Sequence, residues 1–260
     1  MVVLFIGWCL IFLAIDSSVV ITQTGEVTGW LDKIYFVGYS FTTHGNGDLR
    51  PAIGIYQVMT PIIAASGFAT LSLSVTYLIS VISAAVNKMN VASKITSIGE
   101  TVEGFVIMLW KVKHFQAIDL ILNTISSELT MLHEQHKAYP ALHYFHTSEY
   151  KKSVAYALAV LDDALNIIEF GLDEKEKPSP FIIYNCRQII EDYLSTISSK
   201  KRSGKDVAPP AISIQKIKEA EMKTKDEKEF FRKVDAQKER RKMLFRMVRD
   251  DGWDWYSSLH

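Results

Sequence analysis

Between Ile53 and Val86 the chain carries no charged residue, and this stretch limits what the whole can fold into. A membrane-crossing helix needs about 20 consecutive apolar residues at about 1.5 Å of rise each. The run exceeds that, so it predicts a span that can tilt. Small and hydroxyl residues recur along it, among them Ala64, Ala65, Ser66, Thr70, Ser74 and Ser80. A lone lipid-facing anchor has no need of so many, whereas close helix packing or a wet face does. Pro61 and Gly67 both weaken helical regularity and predict a bend near the middle. A second apolar segment opens the chain. Residues 1–15, MVVLFIGWCLIFLAI, are also uncharged, but short for a span. Val19 to Ile21 lengthen the segment only by bringing Asp16 to the interface. The segment lacks the basic start and the small-residue cleavage site of a signal peptide. It therefore reads as an outer helix over residues 1–22 whose first turns are missing from the sequence.

Between the two segments lies Tyr35 to Pro51, YFVGYSFTTHGNGDLRP. Two glycines flanking a single residue suit a backbone that exposes its carbonyls in an irregular conformation. At membrane depth such backbone survives only if buried in protein or lining a polar cavity, and a ring of carbonyls replacing an ion's hydration shell is one solution of that kind. The stretch resembles the pore loop and selectivity filter of tetrameric, potassium-channel-like proteins with two transmembrane helices per subunit. The family filter reads T-T-V-G-Y-G-D after an aromatic-rich pore helix. Here Thr42, Thr43, His44, Gly45, Asn46, Gly47 and Asp48 stand in that order, Pro51 falls at a family proline, and Gly67 has the spacing of the inner-helix hinge glycine. The resemblance covers about residues 1–87.

The resemblance implies an all-α membrane protein with two transmembrane helices, a re-entrant pore helix and filter, and a cytoplasmic helical region. A pore domain over residues 1–90 would hold the outer helix (1–22), the pore helix and filter (30–48) and the inner helix (53–87). Four copies would each supply one strand from Thr43 to Gly47, with the carbonyls of Thr43, His44, Gly45 and Asn46 replacing ion hydration. The Thr43 hydroxyl would close the inner end. Tyr35, Phe36, Tyr39 and Thr42 would support the strand, and Asp48 would hold the outer mouth. Gly67 reads equally as a gating hinge and as a packing glycine. Two residues depart from the family pattern: His44 replaces valine and Asn46 replaces tyrosine. Histidine puts a titratable group where an apolar one is usual, and asparagine is too small to reach an aromatic cuff in the same way. The expectation is a looser strand that conducts potassium with weakened discrimination against sodium, and a flux reduced when His44 is protonated.

The loop between the segments carries Asp16, Glu26, Asp32 and Asp48 against Lys33 and Arg50, while Lys88, Lys94, Lys111 and Lys113 follow the second segment against Glu100 and Glu103. The positive-inside bias places the C-terminal region in the cytoplasm and the loop outside. A re-entrant segment does not cross, so the expected product is a multi-pass cell-membrane protein with both termini cytoplasmic. Lys and Arg total 29 against 29 Asp and Glu, a balance that gives no support for nucleic-acid binding. Cys9 and Cys186 are too few and too far apart for a disulfide framework, and read as separate reduced thiols.

After residue 90 the pattern turns amphipathic. Apolar residues at helical spacing predict a long helix over Ile95 to His136 broken near Gly104, a second over Ser148 to Phe170, and a third over Ile182 to Ile197, forming a bundle over 91–198. Phe105 to Trp110 is an apolar patch suited to bundle packing or to the membrane surface. A basic linker follows at 199–210, then a charged helix and tail over 211–260. Asp162 and Asp163 read as solvated faces, Arg240, Arg241, Lys242 and Arg246 as a solvated face or a contact for anionic lipid or another protein, and Trp253 and Trp255 as anchors without a known seat. His133 with His136, and His143 with His146, have metal-like spacing but no accompanying ligands, so no metal beyond filter cations is expected. No phosphate-binding loop appears, and no cofactor is predicted.

These readings converge on a homotetrameric pore-loop channel for monovalent cations (K+, and Na+ if selectivity is weakened), in contact with membrane lipid. It is not read as an enzyme. The alternative is a non-conducting, channel-like membrane scaffold that binds a cytoplasmic protein partner through its helical region.

Overall fold

The computed structural model describes residues 1–52, 54–111, 115–173, 177–198 and 209–255. Ile53, expected to start the inner helix, and residues 199–208 of the expected linker lie outside them. The chain separates into two compact units, Met1–Ser80 and Val81–His260.

In the first unit, α1 (Val2–Leu13) is followed by a 3-10 turn at Asp16–Ser18 and by strand β1 (Val19–Ile21). The outer helix expected over 1–22 therefore stops early. Ser18 Oγ donates to the Phe12 carbonyl at 2.6 Å and the Lys33 ammonium to that of Ile15 at 2.9 Å, which satisfies carbonyls the helix end leaves open. The β-branched run Val19, Val20, Ile21 suits an extended strand. It pairs antiparallel with β2 (Leu49–Pro51), Val20 opposite Arg50. With 12 residues, α1 is about 18 Å long, less than the roughly 30 Å of a hydrocarbon core.

Helix α2 (Trp30–Phe41) begins where the Asp32 carboxylate accepts the Gly29 N–H at 3.2 Å. Its inner face, Phe36, Val37, Tyr39 and Phe41, packs with Phe12 of α1 and with Tyr56 and Ile63 of α3 (Gly54–Ile98). Among the described residues α3 is the one helix long and apolar enough to cross a membrane. Most of its apolar side chains up to Ser80 are exposed, including Phe68, Leu71, Leu73 and Ile79. Five of its hydroxyls are satisfied within the helix: Thr60, Thr70, Ser74, Thr76 and Ser80 each donate to the carbonyl four residues back. The small and hydroxyl residues are therefore at ease on an apolar surface and do not by themselves require water.

The units divide inside α3, where the sequence suggested a boundary after residue 90. Val81, Ala84 and Ala85 are already buried, the last two against Leu142, and α3 runs on past the expected end at 87. The long helix predicted over Ile95 to His136 is three pieces: the end of α3, then α4 (Val102–Lys111) and α5 (Phe115–Ala138). The patch Phe105 to Trp110 turns inward, with Phe105, Val106 and Leu109 buried in the core of this unit. Helix α6 (Val154–Asn166), extended by a π turn at Ile167–Gly171, is buried on every side. Such a helix is surrounded by other elements and is not a surface stripe. Around it lie α4, α7 (Pro180–Ser198) and α10 (Lys238–Asp250).

The single charged helix expected over 211–260 is instead α8 (Gln215–Glu219), α9 (Glu227–Asp235) and α10. A left-handed Glu221 and a bridge from Thr224 to Leu172 break it. These pieces are part of the bundle: Ile217, Phe230, Leu244, Val248 and Trp255 bury in the same core as α6. Trp253 meets the edge of Tyr150, and Trp255 that of Phe245, which gives both tryptophans their seat.

Four charges read as solvated faces, Asp162, Asp163, Arg240 and Arg241, form a buried lock with Arg187. Arg241 binds Asp163 through two hydrogen bonds of 2.8 and 3.0 Å, and Arg240 binds Asp162 at 2.8 Å. Arg187 stands 3.5 Å from Asp162 and 2.7 Å from Glu169, and donates to Asn166 at 3.1 Å. Asp162 and Asp163 are essentially without solvent exposure. Removing one partner of such a pair leaves an uncompensated buried charge. Arg241→Leu should therefore lower the unfolding free energy of this unit by about 3–5 kcal/mol, followed in the full chain by tryptophan fluorescence in denaturant. The double variant with Asp163→Leu should recover part of the loss. A change in the single variant below about 0.5 kcal/mol would show that the pair does not lock α10.

Candidate ion-conduction site

The C-terminus of α2 leads directly into the polar stretch. The Thr42 N–H and hydroxyl both donate to the Gly38 carbonyl at 3.0 Å, and the N–H groups of Thr43 and His44 donate to Ser40 and Tyr39 at 3.1 and 2.8 Å. The helix is thereby closed, and the chain leaves it with residues 44–47 in no regular structure. Thr43, Gly45 and Gly47 have φ of 60°, 61° and 81°, while His44 and Asn46 are not left-handed. The sign of φ thus changes at every residue. In a β-strand successive carbonyls point to opposite sides; alternation between left- and right-handed backbone allows them to face one side. Glycine takes the left-handed half freely. A β-branched threonine does not, so Thr43 holds a strained conformation worth about 1–3 kcal/mol.

The hydrogen bonds around the stretch are divided unevenly. At its C-terminal end the Gly47 carbonyl accepts from the Thr22 hydroxyl and the Asp48 carbonyl from the Thr22 N–H, each at 2.9 Å. Asp48 turns back on the chain and accepts the Leu49 N–H at 3.0 Å, so it acts as a strut of the turn. Between these ends, the carbonyls of Thr43, His44, Gly45 and Asn46 accept no hydrogen bond from the described residues. These are the four carbonyls that the sequence singles out as ion ligands.

The residues expected to support the stretch stand in different relations to it. Tyr35 accepts the Asn46 amide at 2.5 Å, so Asn46 does reach the aromatic residues, by a hydrogen bond where a larger ring would pack. Tyr39 donates to the Leu49 carbonyl at 2.8 Å, beyond the strand. Phe36 touches Tyr39 edge-on at 5.2 Å and acts through it. Thr22 was not foreseen; its hydroxyl resembles any loop threonine until β1 pairs with β2 and sets it beside Gly47. An open apolar groove of about 520 Å3, lined by Val2, Phe5, Tyr35, Tyr39 and Phe41, has His44 at its edge.

Gly67 has a packing duty. A Cβ there would lie 1.8 Å from the Phe41 carbonyl oxygen, so the end of α2 rests directly on the α3 backbone. α3 is helical through this position. Gly67→Ala should therefore displace α2 and the strand it carries, costing more than about 3 kcal/mol. Gly54→Ala, whose Cβ meets nothing within 4 Å, is the matched control in a thermal melt of the detergent-solubilised protein. Equal melting points would contradict the contact.

Elsewhere, His133 Nε2 lies 2.8 Å from the Thr196 hydroxyl, and His136 meets the edge of Tyr193. Among the described residues no group of three or more His, Cys, Asp or Glu could hold a metal ion. Cys9 and Cys186 are separate, buried, free thiols.

Comparison with known proteins matches residues 1–84 to a family described as "Ion channel". Over 249 residues the chain is 37% identical to the uncharacterized membrane protein YdjJ of Bacillus subtilis (strain 168), covering 96% of this chain and 73% of that protein. No solved structure matches.

Proposed function

Since the chain belongs to the two-transmembrane, potassium-channel-like ion-channel family through its N-terminal segment, we propose that it is a homotetrameric pore-loop channel for monovalent cations. Potassium is the principal ion, and discrimination against sodium is weakened. The observation that carries the reading is the row of four carbonyls, Thr43 to Asn46, which accept no hydrogen bond from the described residues. At membrane depth they need a partner, and a dehydrated cation shared among four copies supplies one. The C-terminal end of α2 adds the negative pole of a helix dipole at the start of the row. The exposed apolar faces of α1 and α3, with the groove beside Tyr35, are surface that lipid and neighbouring copies would cover.

In this arrangement α3 lines the pore, α2 is re-entrant, both termini and the second unit are cytoplasmic, and the turn at Asp48 opens outward. Thr43 closes the inner end of the row. The proposed conduction involves no step of covalent chemistry. Weakened selectivity rests on His44 and Asn46. The Asn46–Tyr35 bond ties the strand at one point, where a tyrosine would wedge it along a ring. The shortness of α1 is the observation that favours the rival reading, a non-conducting scaffold.

Reconstituted protein under bi-ionic conditions separates the readings. The expected result is a cation current with a potassium-to-sodium permeability ratio well below about 100, rising at least tenfold in His44→Val/Asn46→Tyr. A ratio above about 100 in the unmodified chain would overturn the selectivity argument; the absence of cation current would overturn the channel.

A further inference from the structure

We propose that the second unit binds a small aliphatic carboxylate, of about the size of propionate or butyrate, in a cavity where α3, α5, α7 and α10 converge. The cavity measures about 70 Å3. That is room for about five waters, or a ligand with a similar number of non-hydrogen atoms.

Its lining is two-sided. Lys88 from α3 and Arg246 from α10 bring positive charge, accompanied by His136, His143 and His146. Val154, Leu194, Ile197, Met243 and Met247 supply an apolar side. The Lys88 ammonium donates to the Phe145 carbonyl at 2.9 Å and, more weakly, to that of Leu142 at 3.5 Å. Among the described residues no carboxylate lies within ion-pair distance of it. Burial pushes its pKa down, and the charge of Asp251 only opposes that shift.

Of the two acids of the lining, Asp251 reaches Lys88 by its charge but not, among the described residues, as an ion pair. Asp251 accepts from the Ser153 hydroxyl at 2.9 Å and faces His146 Nδ1 at 3.2 Å, while Asp250 is exposed to solvent. A half-buried ammonium bonded only to neutral carbonyls gains most from an anion that enters the cavity. The apolar side decides which anion. A phosphate carries more charge to be desolvated and leaves the methionines and Leu194 against water. An aliphatic acid sets its carboxylate against Lys88 and its carbons against that side. The ligand is then held by α3 itself, two residues beyond its charge-free stretch.

The test is binding, and so does not depend on conduction. Full-length protein in detergent is titrated calorimetrically with sodium butyrate, against sodium chloride and sodium phosphate at equal ionic strength. The expected result is a Kd in about the millimolar range, with phosphate at least tenfold weaker. Lys88→Met should weaken butyrate at least tenfold. Met243→Phe, which keeps every charge but fills the cavity, should do the same and decides the matter should Lys88→Met fail to fold. No butyrate heat above the chloride control would overturn the proposal. So would phosphate binding as tightly as butyrate, or butyrate affinity unchanged in Met243→Phe.

Discussion

A backbone carbonyl at membrane depth needs a partner, and the first unit holds four, Thr43 to Asn46, that accept no hydrogen bond from the described residues. Every hydrogen bond next to them is assigned elsewhere. Thr42 to His44 turn their N–H groups back into α2, Thr22 takes Gly47 and Asp48, and Asn46 gives its amide to Tyr35. What is left is a short row of acceptors held at both ends on rigid elements. The left-handed Thr43 belongs to the same alternation of backbone sign as Gly45 and Gly47, a pattern that lets successive carbonyls turn to one side. Close contact of α2 with Gly67 then fixes where the row stands relative to α3.

The second unit depends on a different kind of constraint. Its central helix α6 is buried all round yet carries Asp162 and Asp163. Two buried carboxylates are costly unless paired, and the arginines of α10 pair them. The C-terminal segment is thus part of this bundle, not an appended tail, and α6 cannot be fully buried without it. The same docking brings Arg246 and the methionines of α10 to the cavity beside Lys88.

What could be read from the sequence follows from the range of the interactions involved. Thr42 to Asp48, the aromatic-rich helix before them and the uncharged run after them are local patterns, visible without a fold. Thr22 is not, because its partner Gly47 is 25 positions away and depends on a strand hidden inside an apolar run that looked helical. Asp162 and Arg240 are 78 positions apart. In sequence a charge bound for burial looks the same as one bound for water, so these residues passed for solvated faces. Gly67 was legible as special, and the structure adds the contact that makes it so. Asn46 looked like a loss of aromatic support until its amide was placed against Tyr35.

The central claim is that the carbonyls of Thr43 to Asn46 hold dehydrated cations on a fourfold axis. Density from the assembled protein in a lipid bilayer with potassium, compared with a preparation in sodium, tests it most directly. The account predicts a tetramer with peaks on the axis between Thr43 and Asn46 in potassium, fewer or weaker in sodium. A monomer or dimer, or a tetramer whose four stretches collapse onto one another with no axial density, would contradict it.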